Sequence, residues 1–223
     1  MNSNNSEDRT DIIYIADTDA KPKAPKLNLP NKLTIFRIAL VPVIMVFILL
    51  PEYDAFPETW SNIFAAALFL IASLTDLIDG ILARKLNLIT NFGKLMDPLA
   101  DKFMIVGAML AITASGSFEN IRWLAVWVTA VVFFREFAVT SIRLVANSAD
   151  GNVIAANIAG KLKTFSQCAC ILTVLLEKVV ISGRLGIEQP IFSYITMIIM
   201  AAFTVYSGFV YVKGYWKYID PAN

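Results

Sequence analysis

The sequence predicts an all-α integral membrane protein: a six-transmembrane-helix bundle with both termini in the cytoplasm. Three observations carry that prediction. The 223 residues are 57% hydrophobic and 17% charged, with a mean hydropathy of +0.62, well above an ordinary soluble domain. The apolar residues gather into long segments, each near the roughly 20 residues a helix needs to cross the hydrocarbon. Lysine and arginine crowd the connections on one side of these segments and are sparse on the other.

Residues 1–26 are polar and of mixed charge, apart from Ile12, Ile13, Tyr14 and Ile15. They read as a disordered or surface-bound tail, and they lack the basic start and apolar stretch of a signal peptide. Residues 27–223 form the membrane domain. The first helix spans 33–50, LTIFRIALVPVIMVFILL, with one arginine; Pro51, Glu52 and Asp54 mark its exit into water. Five further segments follow at about 61–83, 93–114, 121–146, 158–181 and 191–215, separated by short polar or Gly/Pro-containing stretches. Trp60, Trp123, Trp127 and Trp216, near segment ends, suit interface anchors.

Orientation follows from the basic residues. The connections after the first, third and fifth helices hold Arg122, Lys178 and Arg184. The N-terminal stretch, the second and fourth connections and the C-terminus hold Lys21, Lys23, Lys26, Lys32, Arg84, Lys85, Lys94, Lys161, Lys163, Lys213 and Lys217. The positive-inside rule places this second side in the cytoplasm. The expected location is therefore the inner (cytoplasmic) membrane, multi-pass, with any site on that side facing the cytoplasm.

Composition excludes several chemistries. There is no histidine, which removes the Ser-His-Asp triad, the imidazole base and every His-ligated metal site. A net charge of +1 argues against a polybasic nucleic-acid binder. Cys168 and Cys170 lie two apart in an apolar run, so on a helix they point to separate faces and form neither a disulfide nor a metal site.

The carboxylates are the informative feature. Within SLTDLIDGILARKLNLITNFGKLMDPLADKF, Asp76 and Asp79 are three apart, and Asp97 and Asp101 four apart, so each pair lies along one helix face. A short turn at 87–90 makes the two helices antiparallel neighbours, and the four acids converge. An unpaired aspartate at the membrane centre costs about 3 kcal/mol, so such an investment calls for a compensating charge. In the absence of histidine, these hard oxygen donors favour Mg²⁺ or Mn²⁺, as one ion or a pair. Gly80 and Ala83 continue the face of Asp76 and leave space for a ligand, with Arg84 one position on. Structural ion pairs with Arg84, Lys85, Lys94 and Lys102, an ion or proton transporter, or an aspartate-rich prenyl-transfer site, whose acids are arranged differently, are the competing readings of the same acids.

Together these residues read D-x2-D-G-x2-A-R-x8-G-x3-D-x3-D, from Asp76, Asp79, Gly80, Ala83, Arg84, Gly93 and Asp97 to Asp101. The pattern resembles the signature of the CDP-alcohol phosphotransferase family, with every fixed position present. The six-helix layout extends the resemblance over about 28–215. Three more segments, NLPNKLTIFR, FREFAVTSIRLVAN and AGKLKTFSQ, resemble the branch of that family whose acceptor is glycerol 3-phosphate. Arg135 and Arg143 lie about 80° apart around a helix, and with Lys161 and Lys163 they form a basic cluster suited to an anionic acceptor.

The resemblance implies a phospholipid-synthesising enzyme in which CDP-diacylglycerol donates a phosphatidyl group to glycerol 3-phosphate and CMP is released. It implies two Mg²⁺ or Mn²⁺ ions held by Asp76, Asp79, Asp97 and Asp101, with Asp101 also the base. Asn31, Thr34, Asp76, Gly80, Ala83 and Arg84 would bind the nucleotide of the donor. Arg135, Arg143 and Lys161 would bind the acceptor phosphate. A homodimer is expected on the same ground, with the apolar sides of the third and fourth helices as its contact. Inositol phosphate, serine and phosphatidylglycerol are the rival acceptors within the family.

Overall fold

A computed structural model of the chain describes residues 29–54, 56–85, 91–149, 158–182 and 189–216. The tail at 1–26 and the turn at 87–90 lie outside these described residues. Every described element is helical. Six long helices follow one another: α1 (Leu29–Leu49), α2 (Glu58–Lys85), α3 (Asn91–Ala114), α4 (Arg122–Ala149), α5 (Ile158–Glu177) and α6 (Ile191–Gly214). Short helical turns at Leu50–Tyr53, Gly116–Ile121 and Lys178–Ser182 extend or join them.

Five stretches among the described residues are long and apolar enough to cross a membrane: Asn31–Tyr53, Glu58–Asp76, Gly116–Arg143, Ile158–Val180 and Ile191–Gly214. The remaining long helix, α3, carries Lys94, Asp97, Asp101 and Lys102 in its first half. Its length matches the others, and its charge load sets it apart.

Contacts between helix ends show that neighbours run antiparallel. Ser61, early in α2, hydrogen bonds to the carbonyl of Phe47, late in α1. Lys102, early in α3, reaches Thr140, late in α4. Glu177, at the end of α5, meets Ser193 at the start of α6. α1 packs on α2 and α3, α6 on α4 and α5, and the two groups meet where α3 packs on α4 and α2 on α5.

In lipid there is no hydrophobic drive between helices, so close packing of small residues matters more. Ala65, Ala66, Ala72, Ala100, Ala108, Ala111 and Ala125 are buried at the contacts. At Gly107 a Cβ would stand 2.7 Å from Val41 Cγ1, so only glycine lets α3 approach α1 this closely. Ile44, Ile48, Phe69, Met109, Ile171, Leu175, Met197 and Met200 fill the centre. Large apolar side chains such as Phe133, Phe134, Phe137, Phe165, Ile198 and Phe209 point outward, as a helix bundle bathed in lipid requires. The four tryptophans are also exposed, consistent with interface positions.

One end of the bundle uses its charges to lock helices together. The buried Glu177 carboxylate accepts hydrogen bonds from the backbone N–H groups of Phe192 (2.8 Å) and Ser193 (2.6 Å) and from the Ser193 hydroxyl. It thereby satisfies donors that the first turn of α6 leaves open. Lys178 donates to Glu58 at 2.6 Å, and Tyr194 to the carbonyl of Asn120 at 2.5 Å. The opposite end is organised differently.

Candidate functional site

That opposite end collects the start of α1, the end of α2, the start of α3, the end of α4, the start of α5 and the end of α6. On α1, Asn31, Thr34 and Arg37 recur at the helical spacing and share one face, and all three are buried. The α-helix therefore carries a polar row into the bundle beside the apolar Ile44 and Ile48 of the same helix. Arg37 reaches across to α2, where Nη1 lies 2.7 Å from Asp76 Oδ1 and Nε donates to the Ala72 carbonyl at 3.3 Å. Asp76 thus has one carboxylate edge held and the other open.

Among the described residues the charge balancing Asp76 comes from α1. Of the cations beside the acids in sequence, Lys102 donates to the Thr140 hydroxyl, and the side chains of Arg84, Lys85 and Lys94 lie outside the described residues. Arg37 is the one arginine of the first apolar segment, and its partner on α2 is set by how the helices pack.

Asp101, on α3, is half-buried and lies in the electrostatic reach of Lys163 on α5, Asp76 on α2, Glu136 on α4 and Arg37 on α1. Four other helices therefore contribute a charge around this one carboxylate. Pro98, one turn before it, supplies no backbone N–H to the helix ladder. The side chains of Asp79, Gly80, Ala83, Arg84 and Asp97 lie outside the described residues, although their backbones belong to α2 and α3. Among the described residues no three acidic or thiol side chains gather in a metal-ligating group. Cys168 and Cys170 are free thiols. Cys168 pairs with the Ser73 hydroxyl at 3.4 Å, and Cys170 is fully buried.

The basic cluster forms beside the acids. Glu136 Oε1 accepts from Arg135 Nη1 at 3.1 Å and from Lys163 Nζ. Arg135 Nη2 donates to Ser207 Oγ at 2.6 Å, and Arg143 Nη2 to the Tyr211 hydroxyl at 2.5 Å. Both guanidinium groups lie over the Tyr211 ring, at 5.4 Å for Arg135 and 4.8 Å for Arg143. Their Nε atoms are buried and have no hydrogen-bond partner among the described residues. Buried donors of this kind are costly unless something accepts from them, and an anion is the matching acceptor.

Arg37 ties the α1 row to Asp76, the Tyr211 ring gathers Arg135 and Arg143, and Asp101 lies in electrostatic reach of Arg37 and Asp76 on one side and of Glu136 and Lys163 on the other. Lys161 and Lys163 are separated by about 200° around α5, so only one can face the bundle. Lys163 does, and Lys161 is exposed. Glu136, Ser207 and Tyr211 were not singled out as site residues. Ser207 and Tyr211 on α6 and Tyr215 just past its end are spaced four apart, but such a row reads equally well as core.

Comparison with known proteins agrees with the motif. A family model described as CDP-alcohol phosphatidyltransferase matches residues 27–206. The chain is 38% identical over 204 residues to the CDP-diacylglycerol–glycerol-3-phosphate 3-phosphatidyltransferase of Bacillus subtilis, covering 88% of this chain and 99% of that protein. Proteins of the same name from Wigglesworthia glossinidia brevipalpis and Rickettsia bellii are 35% and 34% identical. They cover 73% and 86% of this chain, and 84% and 97% of their own lengths.

Proposed function

The chain belongs to the CDP-alcohol phosphatidyltransferase family, and from that premise we propose that it transfers the phosphatidyl group of CDP-diacylglycerol to glycerol 3-phosphate, releasing CMP. The product is phosphatidylglycerophosphate, and the reaction is a step of phospholipid biosynthesis. The observation that carries this reading is the likeness to the Bacillus subtilis enzyme along 99% of its length, which includes the acceptor segments as well as the aspartate motif.

The family is generally dependent on a divalent metal. The donor set here fits a hard cation: carboxylate oxygens from adjacent helices, no imidazole in the chain, and thiols engaged elsewhere or sealed in the core. Asp76, Asp79, Asp97 and Asp101 would hold Mg²⁺ or Mn²⁺, as two ions. When bound, they would polarise the diphosphate and stabilise the charge on departing CMP.

The chain's own residues bind, orient and move the proton. Asn31, Thr34, Asp76, Gly80, Ala83 and Arg84 take the cytidine diphosphate portion of the donor, and Arg37 fixes the held edge of Asp76. Arg135 and Arg143, with Lys161 at the rim, take the acceptor phosphate and turn its far hydroxyl toward the diphosphate, converting a bimolecular encounter into an oriented one. Asp101 accepts the hydroxyl proton on a carboxylate oxygen. A carboxylate is the available base in a chain without histidine.

The same proposal includes residues 27–223 as one membrane domain with six spans, α3 being the sixth. Its charged first half would sit at the cytoplasmic surface, where water and substrate reach it. Both termini and the site face the cytoplasm by the distribution of lysine and arginine, in a bacterial inner membrane. A homodimer would use the apolar sides of α3 and α4, where Leu99, Phe103, Leu110, Phe133 and Phe137 are exposed.

The test is an acceptor panel. Labelled CDP-diacylglycerol is incubated with glycerol 3-phosphate, inositol phosphate, serine or phosphatidylglycerol, with and without EDTA. CMP release with glycerol 3-phosphate, lost on chelation, is the expected result. Release with a different acceptor overturns the assignment, and proton or ion flux in liposomes without any CMP release overturns the enzyme.

A further inference from the structure

We propose that Tyr211 and Ser207, on the last helix, are positioning residues that hold Arg135 and Arg143 as a preformed clamp for the phosphate monoester of the acceptor. This rests on the acceptor reading given above and extends it to residues beyond the family match, which ends at residue 206.

The geometry carries the inference. Each arginine of α4 takes a hydrogen bond from its Nη2 to a different side chain of α6, Arg135 to Ser207 at 2.6 Å and Arg143 to Tyr211 at 2.5 Å. One aromatic ring serves both cations, 5.4 Å and 4.8 Å from the two guanidinium carbons. That ring is 6% exposed and stacks on Tyr215 with 7° between the planes, so it is itself immobilised. Between Ser207 and Tyr211, Gly208 leaves room for the Arg135 stem, since a Cβ there would stand 3.3 Å from Arg135 Cγ.

An arginine side chain is rich in rotamers and loses that freedom when it is fixed, and two like charges converging on one point repel. A ligand that had to gather both arginines would bind correspondingly more weakly. The platform bears that burden before the ligand arrives. The electron-rich face of Tyr211 attracts both cations, and Glu136 offsets Arg135 and Lys163. No described carboxylate pairs with Arg143, and the Nε donors of both arginines are unmet among the described residues. Two converging guanidinium groups with residual positive charge suit a phosphate dianion more than the singly charged carboxylate of serine.

The experiment uses the full chain purified in detergent. Glycerol 3-phosphate binding is measured by calorimetry and turnover by CMP release, for wild type, Tyr211→Phe, Ser207→Ala and Tyr211→Leu. Tyr211→Phe keeps the ring and loses the hydroxyl. It should weaken glycerol 3-phosphate binding and raise its KM about tenfold, with kcat and the KM for CDP-diacylglycerol within about twofold of wild type. Ser207→Ala should move the same parameter by a smaller factor, and Tyr211→Leu by a larger one. In an Arg143→Ala background, Tyr211→Phe should add little, because its partner is gone.

Wild-type affinity in both Tyr211→Phe and Ser207→Ala overturns the positioning role while leaving the enzyme's function intact. So does a parallel fall of kcat, both KM values and melting temperature, which marks a structural role alone. A wild-type protein that neither binds nor uses glycerol 3-phosphate overturns the acceptor assignment, and the clamp with it.

Discussion

Arg37 and Asp76 form an ion pair with one partner sealed and the other open: Nη1 and Oδ1 are 2.7 Å apart, the arginine side chain is fully buried, and the aspartate is 39% exposed. Such a pair fixes a carboxylate in place without closing it off. Removing the arginine would take from the Asp76 carboxylate its guanidinium partner at the α1–α2 contact, while the Ala72 carbonyl keeps the Thr75 hydroxyl as a donor. Arg37→Met should destabilise the protein by about 2 kcal/mol, read as a lower melting temperature in detergent, and should reduce CMP release. Arg37→Lys should recover only part of either, because the ammonium lacks the planar fork whose Nη1 and Nε reach the two acceptors at once. A melting temperature and activity equal to wild type in Arg37→Met would show the pair to be incidental.

Asp101 draws charges from four other helices, and its proposed work is the proton transfer. Asp101→Asn keeps the shape and removes the base. The expected loss in kcat is on the order of 10²-fold or more, with the melting temperature close to wild type. CMP release near the wild-type rate with Mg²⁺ present would sink the assignment.

Arg143 is placed to meet the acceptor rather than the lipid donor. For Arg143→Ala, the KM for glycerol 3-phosphate should rise by about tenfold or more, while the KM for CDP-diacylglycerol stays within about twofold. Equal increases in both would count against a separate acceptor pocket.

The metal requirement separates the four motif aspartates from the basic cluster. EDTA should abolish CMP release, and added Mg²⁺ or Mn²⁺ should restore it. In Asp79→Asn and Asp97→Asn, the Mg²⁺ concentration giving half-maximal activity should rise about tenfold, whereas in Tyr211→Phe it should not move. An unchanged Mg²⁺ requirement in both aspartate variants would remove them from the ligand set.

Glu177 caps α6 at the end of the bundle away from the site. Glu177→Ala should lower stability by about 1–2 kcal/mol, with a smaller loss for Glu177→Gln, which retains an acceptor oxygen. Neither KM should change. A selective rise in the KM for glycerol 3-phosphate would contradict the separation of the two ends.

The helices and the aspartate motif were legible in the sequence for local reasons. A spanning helix declares itself by a continuous apolar run, and Asp76, Asp79, Asp97 and Asp101 declare themselves by their spacing and by their cost in or beside apolar helices. The basic cluster was legible in part: Arg135 and Arg143 could be placed on one helix face by spacing alone. Lys163 and Lys161 could not be ranked, because the two face opposite ways on α5 and the face that α5 turns inward is set by its neighbours.

What the sequence determined alone was the helical membrane class, the family and the row of acids, since each is written in neighbouring residues. Tertiary structure decided the partnerships: Arg37 with Asp76, Lys163 with Glu136, and Ser207 and Tyr211 with the two arginines. Arg143 and Tyr211 stand 68 residues apart, on helices whose mutual contact is fixed by close packing and not by any local pattern. The sealed half of the Arg37–Asp76 pair has the same origin. Burial of a side chain depends on what the rest of the bundle lays over it.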